Sequence, residues 1–305
     1  MRQVWITDVG PRDGFQIEPS PVSTDVKVET INRLAEAGLP AIESTSFVHP
    51  RYVPQMADAE AVMAQITRRS TTQYAVLVPN LKGAERALAI RPDQINLVVS
   101  ASETHNRANL RRSTFETLDG FGSVIELVQK HGVPVVGGIS TSFGCPFEGM
   151  VPNERVLDVV ARYRELGVSR VVLADTTGMA HPEQVRRLVG VVHERYPDVE
   201  IHLHFHNTRG MGLANVYAAY LEGIYHFDAS IGGIGGCPFA PGATGNIDTV
   251  DTVHMFEAMG VDTGIDVDAL IALARDLERA LGHDLPSQVM RAGKTTDLHP
   301  VPEGI

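Results

Sequence analysis

Glu200-Ile201-His202-Leu203-His204-Phe205-His206 reads as a β-strand, and its place between two helical windows decides the fold. Side chains alternate faces along a strand, so His204 and His206 point one way and Phe205 the other. His202 shares the histidine face. Two imidazoles so placed can chelate a single cation, and a stack of buried, hydrogen-bonded imidazoles reads equally from the same pattern. The strand is preceded by a helical window over Pro182–Tyr196 and followed by another over Ala214–Leu221. Working outward in both directions, the same alternation recurs eight times. The expected strands are Val4–Val9, Ala41–Ser46, Gln73–Val78, Gln94–Ser100, Pro134–Ser140, Arg170–Ala174, Glu200–His206 and Phe227–Ile231. Further helices are expected over Lys27–Ala37, Leu118–Lys130 and Glu154–Leu166. Gly38, Gly132, Gly167 and Gly223 each stand just past such a window, where a residue without Cβ most easily turns left-handed and stops a helix.

Strand followed by helix, eight times over, predicts an α/β fold, a parallel (β/α)8 TIM barrel; a doubly wound open sheet is the runner-up. A barrel takes about 250 residues. The 305 residues present therefore leave a C-terminal helical extension, and the expected division is a barrel over 1–260 with 261–305 packed on it, its helix at Val267–Leu281. With 43% hydrophobic and 21% charged residues, the composition is that of a soluble globular protein with a large core. The net charge of −11 argues against nucleic acid, whose phosphates call for clustered Lys and Arg, and leaves room for a small anionic substrate. No stretch approaches the roughly 20 apolar residues of a membrane span, and neither a basic leader nor an apolar signal precedes Val4, so a cytoplasmic protein is expected. Cys145 and Cys237, each within Gly-Cys-Pro-Phe, are expected as reduced thiols.

Barrel active sites lie at the C-terminal ends of the strands. Polar candidates gather there: Gly10-Pro11-Arg12-Asp13-Gly14 after the first strand, Glu43 on the second, Asp175 at the end of the sixth, His204 and His206 at the end of the seventh. Cys237 and Gly242-Ala243-Thr244-Gly245-Asn246 follow the eighth. An isolated Asp or Asn in a turn is usually a backbone cap, but convergence of several strand ends on one face weighs against that reading.

Five separated motifs carry a resemblance across nearly the whole chain. They are Gly10-Pro11-Arg12-Asp13-Gly14; Glu43-Ser44-Thr45-Ser46-Phe47 with Val53-Pro54-Gln55-Met56-Ala57-Asp58; Asn96-Leu97-Val98-Val99-Ser100-Ala101-Ser102-Glu103; Gly144-Cys145-Pro146-Phe147-Glu148-Gly149; and Gly235-Gly236-Cys237-Pro238-Phe239-Ala240. In this order they resemble the 3-hydroxy-3-methylglutaryl-CoA lyase family of metal-dependent barrel enzymes. The resemblance implies metal ligands at Asp13, His204, His206 and Asn246. It places Arg12, Glu43 and Asp175 around the reacting carbons and Cys237 on a mobile loop.

One carboxylate, two imidazoles and an amide oxygen leave two positions of an octahedron open, which suits Mg²⁺ or Mn²⁺; zinc favours thiolates or three nitrogens in a tetrahedron. The implied reaction is retro-Claisen cleavage of a 3-hydroxyacyl-CoA thioester. In it Arg12 stabilises the enolate oxygen, Cys237 protonates the enolate carbon, and Asp13, His204 or a metal-bound water takes the hydroxyl proton. Cys145, without a glycine loop, is expected to be structural. Two departures from the family pattern bear on substrate. Pro19 stands where a polar residue or Lys is usual, and Asn207-Thr208-Arg209-Gly210-Met211-Gly212 stands where Asp, Thr, Tyr, Gly, Gln and Ala are typical. Citramalyl-CoA is therefore an alternative substrate to 3-hydroxy-3-methylglutaryl-CoA. A condensing synthase is disfavoured because those synthases usually carry a further C-terminal domain, and a non-catalytic barrel because every implied ligand is present. A homodimer is the default expectation for a soluble enzyme.

Overall fold

A computed structural model describes residues 3–236 and 245–301. Eight parallel strands close into a barrel: β1 (Trp5–Asp8), β2 (Ala41–Ser46), β3 (Gln73–Leu77), β4 (Gln94–Ser100), β5 (Val135–Ser140), β8 (Arg170–Asp175), β9 (Glu200–Phe205) and β10 (His226–Ala229). Between β5 and β8 a small antiparallel hairpin, β6 (Gly144–Cys145) and β7 (Gly149–Met150), stands apart from the barrel. The barrel closes where β1 pairs with both β10 and β2. The open-sheet alternative is thereby excluded. Strand positions agree with the alternation to within two residues at each end, and β2 and β4 span the expected ranges.

The outer layer is built by α1 (Thr24–Glu36), α2 (Ala59–Gln65), α3 (Leu81–Ala89), α4 (Glu103–Leu110), α5 (Thr114–Lys130), α6 (Asn153–Glu165), α7 (Pro182–Arg195), α8 (Gly212–Leu221) and α9 (Thr249–Ala258). α10 (Val267–Leu281) and α11 (Gln288–Ala292) follow. Several of these helices have a local cause. Ser23, Ser102 and Ser113 accept hydrogen bonds from backbone N–H groups of the first turns of α1, α4 and α5, and Ser113 closes a capping box with Glu116. Gly38, Gly132, Gly167 and Gly223 all take positive φ beyond the ends of α1, α5, α6 and α8. α10 lays Leu270, Leu273, Ala274 and Leu277 into the core. It is tied to α1 by the Asp266 N–H donating to Ala37 O at 2.8 Å and by Arg33–Asp276 at 2.8 Å.

Inside the barrel the pleat sorts side chains by parity. Val172 and Ala174 of β8 face the axis while Val171, Leu173 and Asp175 pack outward, and on β9 His202 and His204 face inward while Leu203 and Phe205 pack outward. Among the described residues no helix is long and apolar enough to cross a membrane.

Candidate active site

At the C-terminal ends of the strands a cavity of about 240 Å³ opens, and Arg12, Asp13, Glu43, His204 and His206 line it together with Asp228. Arg12 and Asp13 arrive on a single π-helical turn, Gly10–Gly14, which continues β1. Buried Asp8 anchors the turn: its Oδ1 accepts from the Gly10 N–H at 2.8 Å and its Oδ2 from the Thr249 hydroxyl at 2.6 Å. Burial, against those hydrogen bonds, pushes the Asp8 carboxyl up to about 7.

Arg12 is held from two sides. Its Nε donates to Glu43 Oε2 at 2.6 Å and its Nη1 to Asp13 Oδ1 at 2.6 Å. Burial disfavours the guanidinium charge, but Glu43 and Asp13 outweigh that and raise its pKa. Glu43 is itself fixed by Asn96, whose Nδ2 donates to Oε1 at 2.7 Å. Burial works against the Asp13 carboxylate too; the charges of Arg12, His204 and His206 prevail and bring it down to about 2.

His204 Nε2 and His206 Nε2 face each other at 3.1 Å, and His206 Nε2 lies 3.9 Å from Asp13 Oδ2. Adjacent ligands of an octahedral ion with bonds of about 2.1 Å stand about 3 Å apart, so this spacing fits a divalent cation between the two rings. His204 Nδ1 is engaged by Asp228 Oδ2 at 3.2 Å, which turns Nε2 toward the centre. Burial lowers the His204 pKa and Asp228, with Asp13 behind it, raises it; the net shift is upward. Asn246 reaches the same place through a bridge between its backbone and that of His206, and its Nδ2 donates to Asp13 Oδ2 at 3.0 Å. Its Oδ1 is buried without a hydrogen-bond partner, an orphan acceptor in the same group as the Asp13 carboxylate and the two imidazoles. Gly235, at φ 119°, lies so close that a Cβ there would come within 2.4 Å of Asn246 Nδ2. A partly buried carboxylate ionised at all ordinary pH, two convergent imidazoles and an unsatisfied amide oxygen fit a divalent cation.

One expected participant is placed differently and another is not described. Asp175 does not line the cavity: strand parity gives that face to Ala174, and Asp175 Oδ1 accepts from the backbone N–H groups of Met179 and Ala180 at 2.8 and 3.1 Å. Burial pushes its carboxyl up to about 6. Cys237 lies outside the described residues. Cys145 is a buried free thiol that accepts from the Ser102 hydroxyl at 3.0 Å.

Pro19, Asn207 and Arg209 are not among the residues that line the cavity. Arg209 donates to the carbonyls of Thr177 and Gly178 at 3.0 and 2.9 Å, tying down the loop after β8. Asn207 Oδ1 accepts from the Gly212 N–H at the start of α8. Sequence reasoning passed over Asp228 and Asn96. Both sit at inward positions of strands it had delimited, and counting parity along Phe227–Ile231 and Gln94–Ser100 would have found them.

Closed barrel, cation-ready donor set and an ion-paired arginine at the strand ends define an enzyme of the barrel lyase class. Residues 3–277 match the HMGL-like family. An (R)-citramalyl-CoA lyase of Chloroflexus aurantiacus is 45% identical, over 96% of each chain. The hydroxymethylglutaryl-CoA lyase of Bacillus subtilis is 42% identical, over 97% of this chain and 99% of its own. The structure of an HMG-CoA lyase from Acinetobacter baumannii in complex with coenzyme A and 3-methylmalate superposes with a TM-score of 0.94 at 49% identity, covering 98% of both chains. The chain belongs to the HMGL-like family.

Proposed function

We propose that the protein cleaves 3-hydroxy-3-methylglutaryl-CoA to acetyl-CoA and acetoacetate, with a divalent cation, Mg²⁺ or Mn²⁺, held by Asp13, His204, His206 and Asn246. The observation that carries this reading is the partly buried, doubly anchored Arg12 beside the convergent Asp13, His204 and His206 on one cavity wall. Curated relatives named as hydroxymethylglutaryl-CoA lyases, in Bacillus subtilis and in animal mitochondria, support it.

A divalent cation held by Asp13, His204, His206 and Asn246 would supply Lewis-acid assistance, making the substrate hydroxyl easier to deprotonate. The residues do the rest. The C3 hydroxyl proton passes to Asp13, His204 or a nearby water, the O–H electrons form the ketone of acetoacetate as the C2–C3 bond breaks, and that bond's pair passes to C2 and the thioester oxygen as an enolate. Arg12, fixed by Glu43 and unable to lose its proton, places positive charge where that oxygen becomes negative. Glu43 acts through Arg12 and Asp228 through His204, both as positioning residues. Asp175 acts at one remove, by fixing the loop that follows β8. The enolate carbon then takes a proton, completing acetyl-CoA, and Cys237 is proposed as the donor on the ground of its thiol chemistry and its glycine-rich surroundings in the sequence.

A second reading is favoured by one finding, the 45% identity to a citramalyl-CoA lyase. That substrate would give acetyl-CoA and pyruvate with the same residues. The two are separated by giving both thioesters to the purified enzyme and comparing kcat/KM. A higher value for 3-hydroxy-3-methylglutaryl-CoA supports the proposal, and cleavage of citramalyl-CoA alone replaces it. In the same assay Cys237→Ser should keep cation and substrate affinity while turnover collapses; near-normal turnover removes Cys237 as the acid.

A further inference from the structure

The inner face of β9 carries a third histidine that the reaction does not use. His202 lies two residues before His204, about 7 Å down the same strand toward the barrel's N-terminal end. There His202 Nε2 stands 2.8 Å from Glu200 Oε1, and His226 Nε2, from the neighbouring β10, stands 3.6 Å from that same oxygen. We propose that Glu200, His202 and His226 form a second cation site at the N-terminal mouth of the barrel, selective for a borderline transition-metal ion of the zinc class.

Three observations converge on it. The ligand atoms all lie within 4.8 Å of one another. Ligands on a tetrahedral ion with bonds of 2.0–2.2 Å are separated by about 3.3–3.6 Å; the 3.6 Å between His226 Nε2 and Glu200 Oε1 already has that spacing, and the 2.8 Å His202–Glu200 hydrogen bond would lengthen as its proton gives way to the ion. Two imidazole nitrogens with one carboxylate oxygen also favour zinc-like ions over Mg²⁺, which prefers an all-oxygen shell. Behind the cluster is a polar cavity of about 220 Å³, lined among others by Trp5, Gln73, Gln94 and Arg170, with room for the water that completes the coordination.

The surroundings set both the support and the cost. Glu200 Oε2 accepts from Arg170 Nε at 3.0 Å, and Arg170 Nη1 donates to Gln94 Oε1 at 3.3 Å, which orients Oε1 toward the imidazoles. The Arg170 charge opposes a second cation nearby, so the site needs the strong nitrogen donors it has. His202 and His226 are stacked, with centroids 4.2 Å apart and planes 10° from parallel. A cation shared by both Nε2 atoms requires the rings to open into a V about their Cβ–Cγ bonds. His226 Nδ1, buried without a hydrogen-bond partner, does not lock its ring against that rotation.

The site is independent of the substrate assignment above. It is tested by titrating Zn²⁺ into the full-length protein, with equilibrium dialysis and calorimetry as readouts. The wild type should bind two equivalents. Asp13→Ala should remove one, and His202→Gln combined with His226→Gln should remove the other while the fold, read by its thermal midpoint, is kept. Glu200→Gln alone should weaken the second equivalent by at least the roughly 10-fold that losing even a supporting partner costs. A wild type that binds a single equivalent abolished by Asp13→Ala overturns the proposal, as does undiminished second-site binding in the His202→Gln and His226→Gln protein.

Discussion

Arg12 and Asp13 are neighbours in sequence and carry opposite charges, yet the π-helical turn directs them to different tasks. Arg12 contacts Glu43 at 2.6 Å and keeps its charge, so Arg12→Gln should lower kcat by about 10²–10³ with cation binding intact, a combination that steady-state rates and metal titration check. Asp13→Ala should abolish both turnover and cation dependence. Asp228→Asn keeps the shape but weakens the hydrogen bond that orients His204, and should reduce cation affinity about 10–100-fold. The pH dependence follows from the same contact. Because Asp228 and Asp13 favour protonated His204, its pKa lies above the ordinary imidazole value, and a proton competes with the cation for Nε2 up to that higher pH. Cation affinity should therefore be weakest in acid and rise as pH climbs through the raised pKa; affinity flat across the imidazole range would contradict the assignment of His204 as a ligand. Most of these residues were legible because strand ends concentrate them. Asp175 shows the limit: it stands at a strand end, but parity turns it away from the cavity, and only its neighbour Ala174 faces in.

Secondary-structure elements explain why the ligands hold their places. A hydrogen-bonded chain runs along the barrel interior from Arg12 to Glu43, Asn96 and Gln94, then through Arg170 and Glu200 to His202. The two ends of the barrel are thus joined by side chains of β2, β4, β8 and β9 as well as by the backbone. At the periphery, Gly38 ends α1 with φ 94°, and a Cβ there would meet Gly264 O at 2.7 Å. Gly38→Ala should cost about 1–3 kcal/mol, measured by denaturant unfolding, without altering cation affinity. The strands and α10 were readable from apolar pattern and glycine stops, α10 to the residue. α2, α3, α4, α9 and α11 were not. Ala59–Gln65 and Gln288–Ala292 are too short for periodicity to emerge, and Glu103–Leu110 is mostly polar, stabilised by its Ser102 cap and packing instead of a continuous apolar stripe. The Gly10–Gly14 turn was visible as a motif, though its π-helical shape depends on Asp8 and Thr249, 241 residues apart.

For the molecule as a whole, the barrel gives strand ends that converge without any one strand carrying the site. Asp13 comes from the first unit, Glu43 from the second, His204 and His206 from the seventh, and Asn246 from beyond the eighth. We propose that residues 261–305 belong to the same folding unit as the barrel, since α10 buries Leu270 and Leu277 and is anchored to α1. Leu270→Ala should then destabilise the whole protein by about 2–5 kcal/mol in a single cooperative transition, whereas a separate early transition would mark an independent extension. The central claim is tested most directly by following acetyl-CoA release from 3-hydroxy-3-methylglutaryl-CoA with metal-stripped enzyme, before and after adding Mg²⁺ or Mn²⁺. Release that appears only with the cation, and is absent in Asp13→Ala under the same conditions, is the expected result; release that proceeds unchanged without a cation, or persists in Asp13→Ala, would contradict the account.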